Sequence, residues 1–344
     1  MTISLTIYAA AIVSSFLTTL ICVPLWRNWC VRIGLIDEPG HRKIHDAPIP
    51  LAGGLAVMNG ILLPTIAAAV LLWVDGDTSS VRNGSTARYD LMLSPLSAQD
   101  TSLLGYGLSR RALELGSIFA GALAILSLGF IDDKYELSPK TKFLGQLLVA
   151  GLVAASGARI TLFIHNQVFH YAVTMLWIVT VINAFNFMDN MNGLCAGVGA
   201  VGAWYFASLA ALENQYLVAL LAFLTFGALL GFLPHNFPRA RAFLGDAGSH
   251  LIGYLLAVLA ILPHFYTARH PRKWAVLVPI LVLAVPLFDM VWVVVLRTYR
   301  KQPFYIGDTN HLSHRLVRLG FSRTQTVVVI WVMSALIGAI VYLV

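Results

Sequence analysis

Five polar side chains, Asn183, Asn186, Asp189, Asn190 and Asn192, fall within ten residues in the stretch VINAFNFMDNMNGLCAG (181–197), at the end of a long apolar run. At 3.6 residues per turn Asn183, Asn186 and Asn190 lie along one helical face, and Asp189 follows Asn186 by three. Gly193 then ends or bends the element. Amide and carboxylate oxygens are hard donors suited to Mg2+, which keeps several waters and takes only one or two protein ligands beside phosphates. The alternative use of such residues is hydrogen bonding between packed helices.

Four further clusters carry similar chemistry. Asp132 and Asp133 in FIDDKYELSPKTKFLGQ abut an apolar run and are followed by Lys134, Lys140 and Lys142. Asp246 in FLGDAGSH stands just before a helix start, where free backbone N–H groups favour anions. TNHLSHRLVRLG reads as a short amphipathic helix capped by Thr309 or Asn310 and stopped at Gly320. It has His311, His314, Arg315 and Arg318 on one face and Leu312, Leu316 and Leu319 on the other. Such a helix can rest on lipid headgroups or hold a pyrophosphate; Ser313 lies off the basic face, so its loss is expected to be mild. The fifth cluster is GLIDEPGHRKIHDAPIPLAGG. Asp289, about two turns inside an apolar run and near Pro286, is an ionisable group where hydrocarbon is expected, hence a functional candidate or a structural hydrogen bond at a kink.

The elements that must position these groups are membrane helices. The chain has 344 residues, 58% apolar and 11% charged, with mean hydropathy +0.77, outside the range of soluble domains. About ten apolar segments are long enough to cross a bilayer core of about 30 Å: 3–25, 51–74, 113–131, 143–160, 169–187, 193–212, 215–233, 249–266, 274–296 and 326–344. The expected fold is therefore an all-α polytopic integral membrane protein, one domain over 1–344, with a polar outer loop at about 75–111 and a cytoplasmic loop at about 297–325. With the N-terminus outside and the first segment retained, the loops after odd-numbered spans hold the larger share of the 23 Lys and Arg residues, which makes that side cytoplasmic. All five clusters fall there and so point to one shared, cytoplasm-facing site. The net charge of +7 reads as topology and attraction to anionic lipid and phosphate, with no run suggesting nucleic acid. Cys22, Cys30 and Cys195 have neither redox nor metal spacing and read as core.

In order and placement, DDKYELSPKTKFLGQ, NAFNFMDNMNGL, FLGDAGS and HLSHRL resemble the motifs of the polyprenyl-phosphate N-acetylhexosamine-1-phosphate transferases. That resemblance, which covers residues 34–321 except the outer insertion, implies ten or eleven helices in the bacterial inner membrane, and possession of a cytosolic active site. It implies Mg2+-dependent transfer of a sugar 1-phosphate from a UDP-sugar to a polyprenyl phosphate with release of UMP, the first step of a cell-envelope glycan; Mn2+ is expected to substitute in part. Residue by residue, it implies Mg2+ binding by Asp246 with Asn186, and catalytic roles for Asp132, Asp133, His311 and His314. It further implies substrate contacts by Arg42, His45, Lys142, Asn183, Asp189, Asn192, Gly193, Asn236 and Arg315. It also allows a homodimer. Three positions depart from the commonest bacterial pattern: Asn190 stands for Gly, Asn192 for Asp, and Ser313 for the middle His. PIPLAGG is more like the UDP-N-acetylhexosamine branch than the muramoyl-pentapeptide branch, the alternative within the family. A rival from another class is a secondary transporter, whose ion path could also use Asp289 and the Asn cluster.

Overall fold

A computed structural model describes residues 4–39, 47–81, 98–161, 164–263, 273–303 and 309–343, with the side chains of 75–81, 98, 99 and 273 excepted. Its helices are α1 (Leu5–Arg32), α2 (Gly53–Val81), α3 (Ala98–Tyr135), α4 (Pro139–Ala155), α5 (Gln167–Met188), α6 (Leu194–Leu212), α7 (Tyr216–Asn236), α8 (Gly245–Leu259), α9 (Val278–Val282), α10 (Ala284–Tyr299), α11 (Leu312–Arg318) and α12 (Arg323–Ala339). Among the described residues seven of these are long and apolar enough to cross a membrane, and α9 with α10 makes an eighth if that bent pair is one span. The protein is thus an all-α, multi-pass membrane protein. The segments expected at 143–160 and 249–266 are helices too, but α4 has 17 residues and α8 has 15, short of the roughly 20 that span 30 Å unaided.

The segment expected over 274–296 is not one rod. It bends by 74° between Val282 and Ala284. Pro286 explains the position: it has no N–H for the Val282 carbonyl four residues back, and its ring crowds that carbonyl, so the helix breaks there. One small departure from an all-helical chain lies in the first loop, where β1 (Ile36–Asp37) and β2 (Ile49–Pro50) pair antiparallel. The chain after β2 then pairs with the segment before α8, Phe243 N–H to the Pro50 carbonyl at 2.9 Å and Gly53 N–H to the Phe243 carbonyl at 2.8 Å.

α8 is the central helix, buried from Ala247 to Leu259 and packed against α2, α3, α5 and α6. Lipid is as apolar as leucine, so close van der Waals packing has to hold such helices together, and small residues permit it. Two glycines illustrate this: a Cβ on Gly54 would meet the Gly248 nitrogen at 2.6 Å, and one on Gly129 would meet the Ala247 Cα at 2.5 Å. α2 and α3 therefore touch the first turn of α8 backbone to backbone.

Candidate active site

The exit of α3 is built around Asp132. Its main-chain carbonyl accepts from Glu136 N–H at 2.8 Å and its Oδ1 from Leu137 N–H at 2.8 Å, a turn closed with Glu136 at φ 51°. Ser138 then caps α4 through Thr141 N–H, with Pro139 in the first turn. One turn later this geometry delivers Lys142, whose ammonium ion-pairs with Asp132 Oδ2 and with Asp246 Oδ2 at 3.1 Å. Asp133 has a different task. It accepts Asp246 N–H at 2.7 Å and Ala247 N–H at 3.1 Å, a carboxylate on the N-terminus of α8. Gly245, at φ +69°, leaves it the space, since a Cβ there would lie 2.5 Å from Asp133 Oδ2.

The asparagine-rich stretch approaches from the end of α5. Asn186 Nδ2 donates to Asp246 Oδ1 at 2.8 Å and to Ser249 Oγ at 3.1 Å. Asp189 is the residue at which α5 ends, and Asn190 turns back to donate to the Phe187 carbonyl at 2.7 Å. Gly193 adopts φ +77° and donates to Asn236 Oδ1 at 2.5 Å, while Asn236 Nδ2 holds the Ala242 carbonyl at 2.9 Å. Asn192 reaches the Pro238 carbonyl at 3.2 Å. Together these segments enclose a cavity of about 1010 Å³ lined by Asp132, Asp133, Lys142, Asn186, Asp189, Asn192, Asn236 and Asp246. Burial, with a smaller contribution from Asp246, pushes the Asp189 carboxyl up to about 7. Half-burial works against the Lys142 ammonium, but Asp246 and Asp132 outweigh it and hold its pKa above the ordinary lysine value.

The histidine loop flanks this cavity. His311, His314 and Arg315 are not among its lining residues, and His311, one residue beyond the expected caps, is the N-cap of α11. His311 Nδ1 meets Asp289 Oδ2 at 2.8 Å, and Leu312 N–H meets Asp289 Oδ1 at 2.6 Å. Ser313, buried, donates to Asn190 Oδ1 at 2.6 Å, which joins two of the three positions that depart from the bacterial pattern. Arg315 lies over the Trp292 ring, 4.8 Å from its centroid. Partial burial and the neighbouring His311 and Arg318 lower the His314 pKa below the ordinary histidine value. Leu312 and Leu316 pack on the core, whereas Leu319, expected with them, is exposed.

A hard cation fits this donor set. Among the described residues no three His, Cys, Asp or Glu side chains are grouped to hold one ion, so an ion here would rest on one or two side chains and complete its shell with water and phosphate, which is how Mg2+ is bound. Asp246 supplies a carboxylate, and Asn186 Oδ1 accepts no hydrogen bond among the described residues.

A sequence profile of glycosyl transferase family 4 matches residues 115–264, which contain every cavity-lining acid from Asp132 to Asp246. A Bacillus subtilis protein, described as a probable undecaprenyl-phosphate N-acetylglucosaminyl 1-phosphate transferase, is 31% identical over 332 residues, spanning 94% of this chain and 81% of its own. The chain belongs to glycosyl transferase family 4. A Mycobacterium tuberculosis decaprenyl-phosphate N-acetylglucosaminephosphotransferase is likewise 31% identical, over 96% of this family 4 chain and 80% of its own. The Yersinia pestis undecaprenyl-phosphate alpha-N-acetylglucosaminyl 1-phosphate transferase is 26% identical over 91% and 78%.

Within this family 4 protein the expected site residues divide into four groups, one of them His311, His314 and Arg315 of the flanking loop. Asp132, Asp133, Lys142, Asn186, Asp189, Asn192, Asn236 and Asp246 meet at the cavity. Asn183 lies a turn back, donating to Gln146 Oε1 at 2.7 Å, and Gly193 is buried behind the lining residue Asn192, bonded to Asn236. Arg42 and His45 lie outside the described residues. The fifth cluster reaches the cavity through Ile36, Asp37 and Glu38, and a further wall that the sequence reading did not name is Arg323 at the head of α12. Arg323 had a legible signal, because it follows Ser322 of the capping box Ser322–Gln325.

Proposed function

We propose that this family 4 protein transfers a sugar 1-phosphate, N-acetylhexosamine 1-phosphate in particular, from a UDP-sugar to a polyprenyl phosphate, with UMP as the leaving group. The observation that carries the reading is the Asp132–Lys142–Asp246 ion-paired set, with Asn186 and Asp189 beside it, in a cavity large enough for a nucleotide sugar. The names of its relatives support the same reaction. We place the site on the cytoplasmic face of the bacterial inner membrane, in a bundle of about ten spans, on the distribution of basic residues.

The reaction joins two anions, so charge neutralisation and alignment dominate the barrier. Asp246 with Asn186 would hold Mg2+, which when bound neutralises the pyrophosphate and stabilises the departing UMP phosphate. Lys142 supplies a fixed positive charge to a phosphate oxygen, and Asp132 orients it. Asp133 keeps the first turn of α8, and so Asp246, in register. Asn192 offers its amide oxygen to the uracil, and Asn236, its own amide spent on Gly193 N–H and the Ala242 carbonyl, holds the turn that carries Asn192. The lipid phosphate is already largely dianionic at neutral pH and attacks the β-phosphorus directly.

The purified protein, given undecaprenyl phosphate, Mg2+ and a panel of UDP-sugars, should release UMP with UDP-N-acetylhexosamines. A panel in which only UDP-muramoyl-pentapeptide reacts would move the protein to the other branch, and no turnover with any of them would end the transferase reading. UMP released stoichiometrically without lipid, leaving sugar phosphate on Asp132, would replace direct attack by a covalent intermediate.

A further inference from the structure

Asp289 is a buried ionisable group that the proposed reaction leaves unused. It is 1% exposed, sits on α10 just beyond the 74° break, and has both oxygens engaged with the start of α11: Oδ2 with His311 Nδ1 at 2.8 Å and Oδ1 with Leu312 N–H at 2.6 Å. A carboxylate only accepts hydrogen bonds, so the His311 nitrogen facing it must carry the proton. Nε2 is then the only ring nitrogen left for a ligand, and it makes no hydrogen bond among the described residues. The ring is held from its sides as well. Phe187, one residue after Asn186 on α5, packs edge-on to it with centroids 5.6 Å apart, and the Arg297 guanidinium lies 5.2 Å from the centroid of the same Phe187 ring. The two contacts to Asp289 fix position and tautomer together, since the backbone N–H locates the loop and the Nδ1–H sets the face of the imidazole.

We infer that Asp289 is a positioning residue for the transfer reaction, acting through His311: it holds the Nδ1-protonated imidazole so that Nε2 is presented to the phosphates of the substrates, and it pins α11 beside the asparagine-rich turn. The inference rests on the transferase reading for its kinetic consequence, though not for its chemistry. An acid that orients a histidine by its far nitrogen matters because an amide in its place keeps the shape and favours the wrong tautomer.

Two measurements test it. The first needs no variant: in protein labelled with 15N-histidine, the His311 signals, assigned by their loss in His311→Ala, should show Nδ1 protonated. A neutral ring protonated on Nε2 overturns the proposal, and this outcome is independent of whether any UDP-sugar turns over. The second is kinetic. Asp289→Asn should lower kcat at least tenfold with the KM for lipid phosphate changed less than threefold, and Asp289→Glu, which keeps the carboxylate, should recover part of the loss. In a His311→Ala background Asp289→Asn should cost less than twofold more, because the residue through which it acts is gone. Equal losses in both backgrounds, or a full kcat in Asp289→Asn, would overturn the role assigned to Asp289. Loss of cooperative melting in Asp289→Asn with the Nε2-protonated ring in the parent would assign it to structure alone.

Discussion

Asp246 is the residue on which most of the site depends, because it meets Lys142, Asn186 and, through its own N–H, Asp133. Asp246→Asn should abolish transfer and weaken Mg2+ binding at least tenfold, read by titration calorimetry; full turnover in excess chelator would remove the metal from the reaction. Asp189 sets a pH dependence. Its carboxyl, raised to about 7 by burial and by Asp246, is mostly neutral at pH 6 without an ion and charged at pH 8. A nearby cation favours the charged form, so Mg2+ affinity should rise with pH through this range, by up to about tenfold per unit below 7, and Asp189→Asn should flatten the rise. Ser313 changes status. From its place off the basic face its loss is expected to be mild, but it is buried and bonded to Asn190. Ser313→Ala should therefore cost about 1 kcal/mol of stability and loosen the loop, with Asn190→Gly in the same chain adding little. Additive losses would show that the two do not act as a pair.

The elements differ in how far their sequence announces them. The helix-forming apolar runs and the acid, asparagine and histidine clusters could be read in the chain, because each rests on local spacing. Contacts across the bundle could not: Asp289 and His311 are 22 residues apart, and nothing in either segment alone pairs them. The break at Leu283 was half legible, through Pro286, but a proline marks its effect four residues upstream and the angle depends on packing. Nor does local pattern reveal the pairing of the Pro50–Gly54 backbone with Phe243 and Leu244, which brings the ribbon into the wall of the cavity. Gly129 belongs here too. It reads as one small residue in an apolar run, yet it is where α3 touches α8. Gly129→Ala should push the first turn of α8 away, costing about 1–3 kcal/mol as overpacking does and reducing kcat while leaving helical content unchanged. An unaltered melting temperature and rate would mean that the two helices have slack between them.

For the molecule as a whole, seven or eight spans are seen among the described residues and about ten are expected from hydropathy, the difference lying in α4 and α8. In both, the first turn carries the chemistry: Lys142 stands at the start of α4, and Asp246 opens α8. Single cysteines placed at Glu136 and Arg318 in a chain lacking its three native thiols should react with membrane-impermeant reagents only from the cytoplasmic side, while one in the 75–111 segment should react only from outside. Reaction of Glu136 and Arg318 from opposite sides would break the single-face site.

Lys142 holds two carboxylates that would otherwise repel each other across the position expected for a divalent ion. The protein thus carries a resident counter-ion of its own, and assembling the bundle does not have to wait for metal supply. In excess chelator the purified protein should keep its helical circular dichroism and a cooperative melt, and activity should return within the mixing time when Mg2+ is added. Lys142→Met should lose that independence, so that its folding, unlike that of the parent, becomes a function of the free Mg2+ concentration. A parent that unfolds on chelation, or recovers only after minutes, would show that Lys142 does not stand in for the ion.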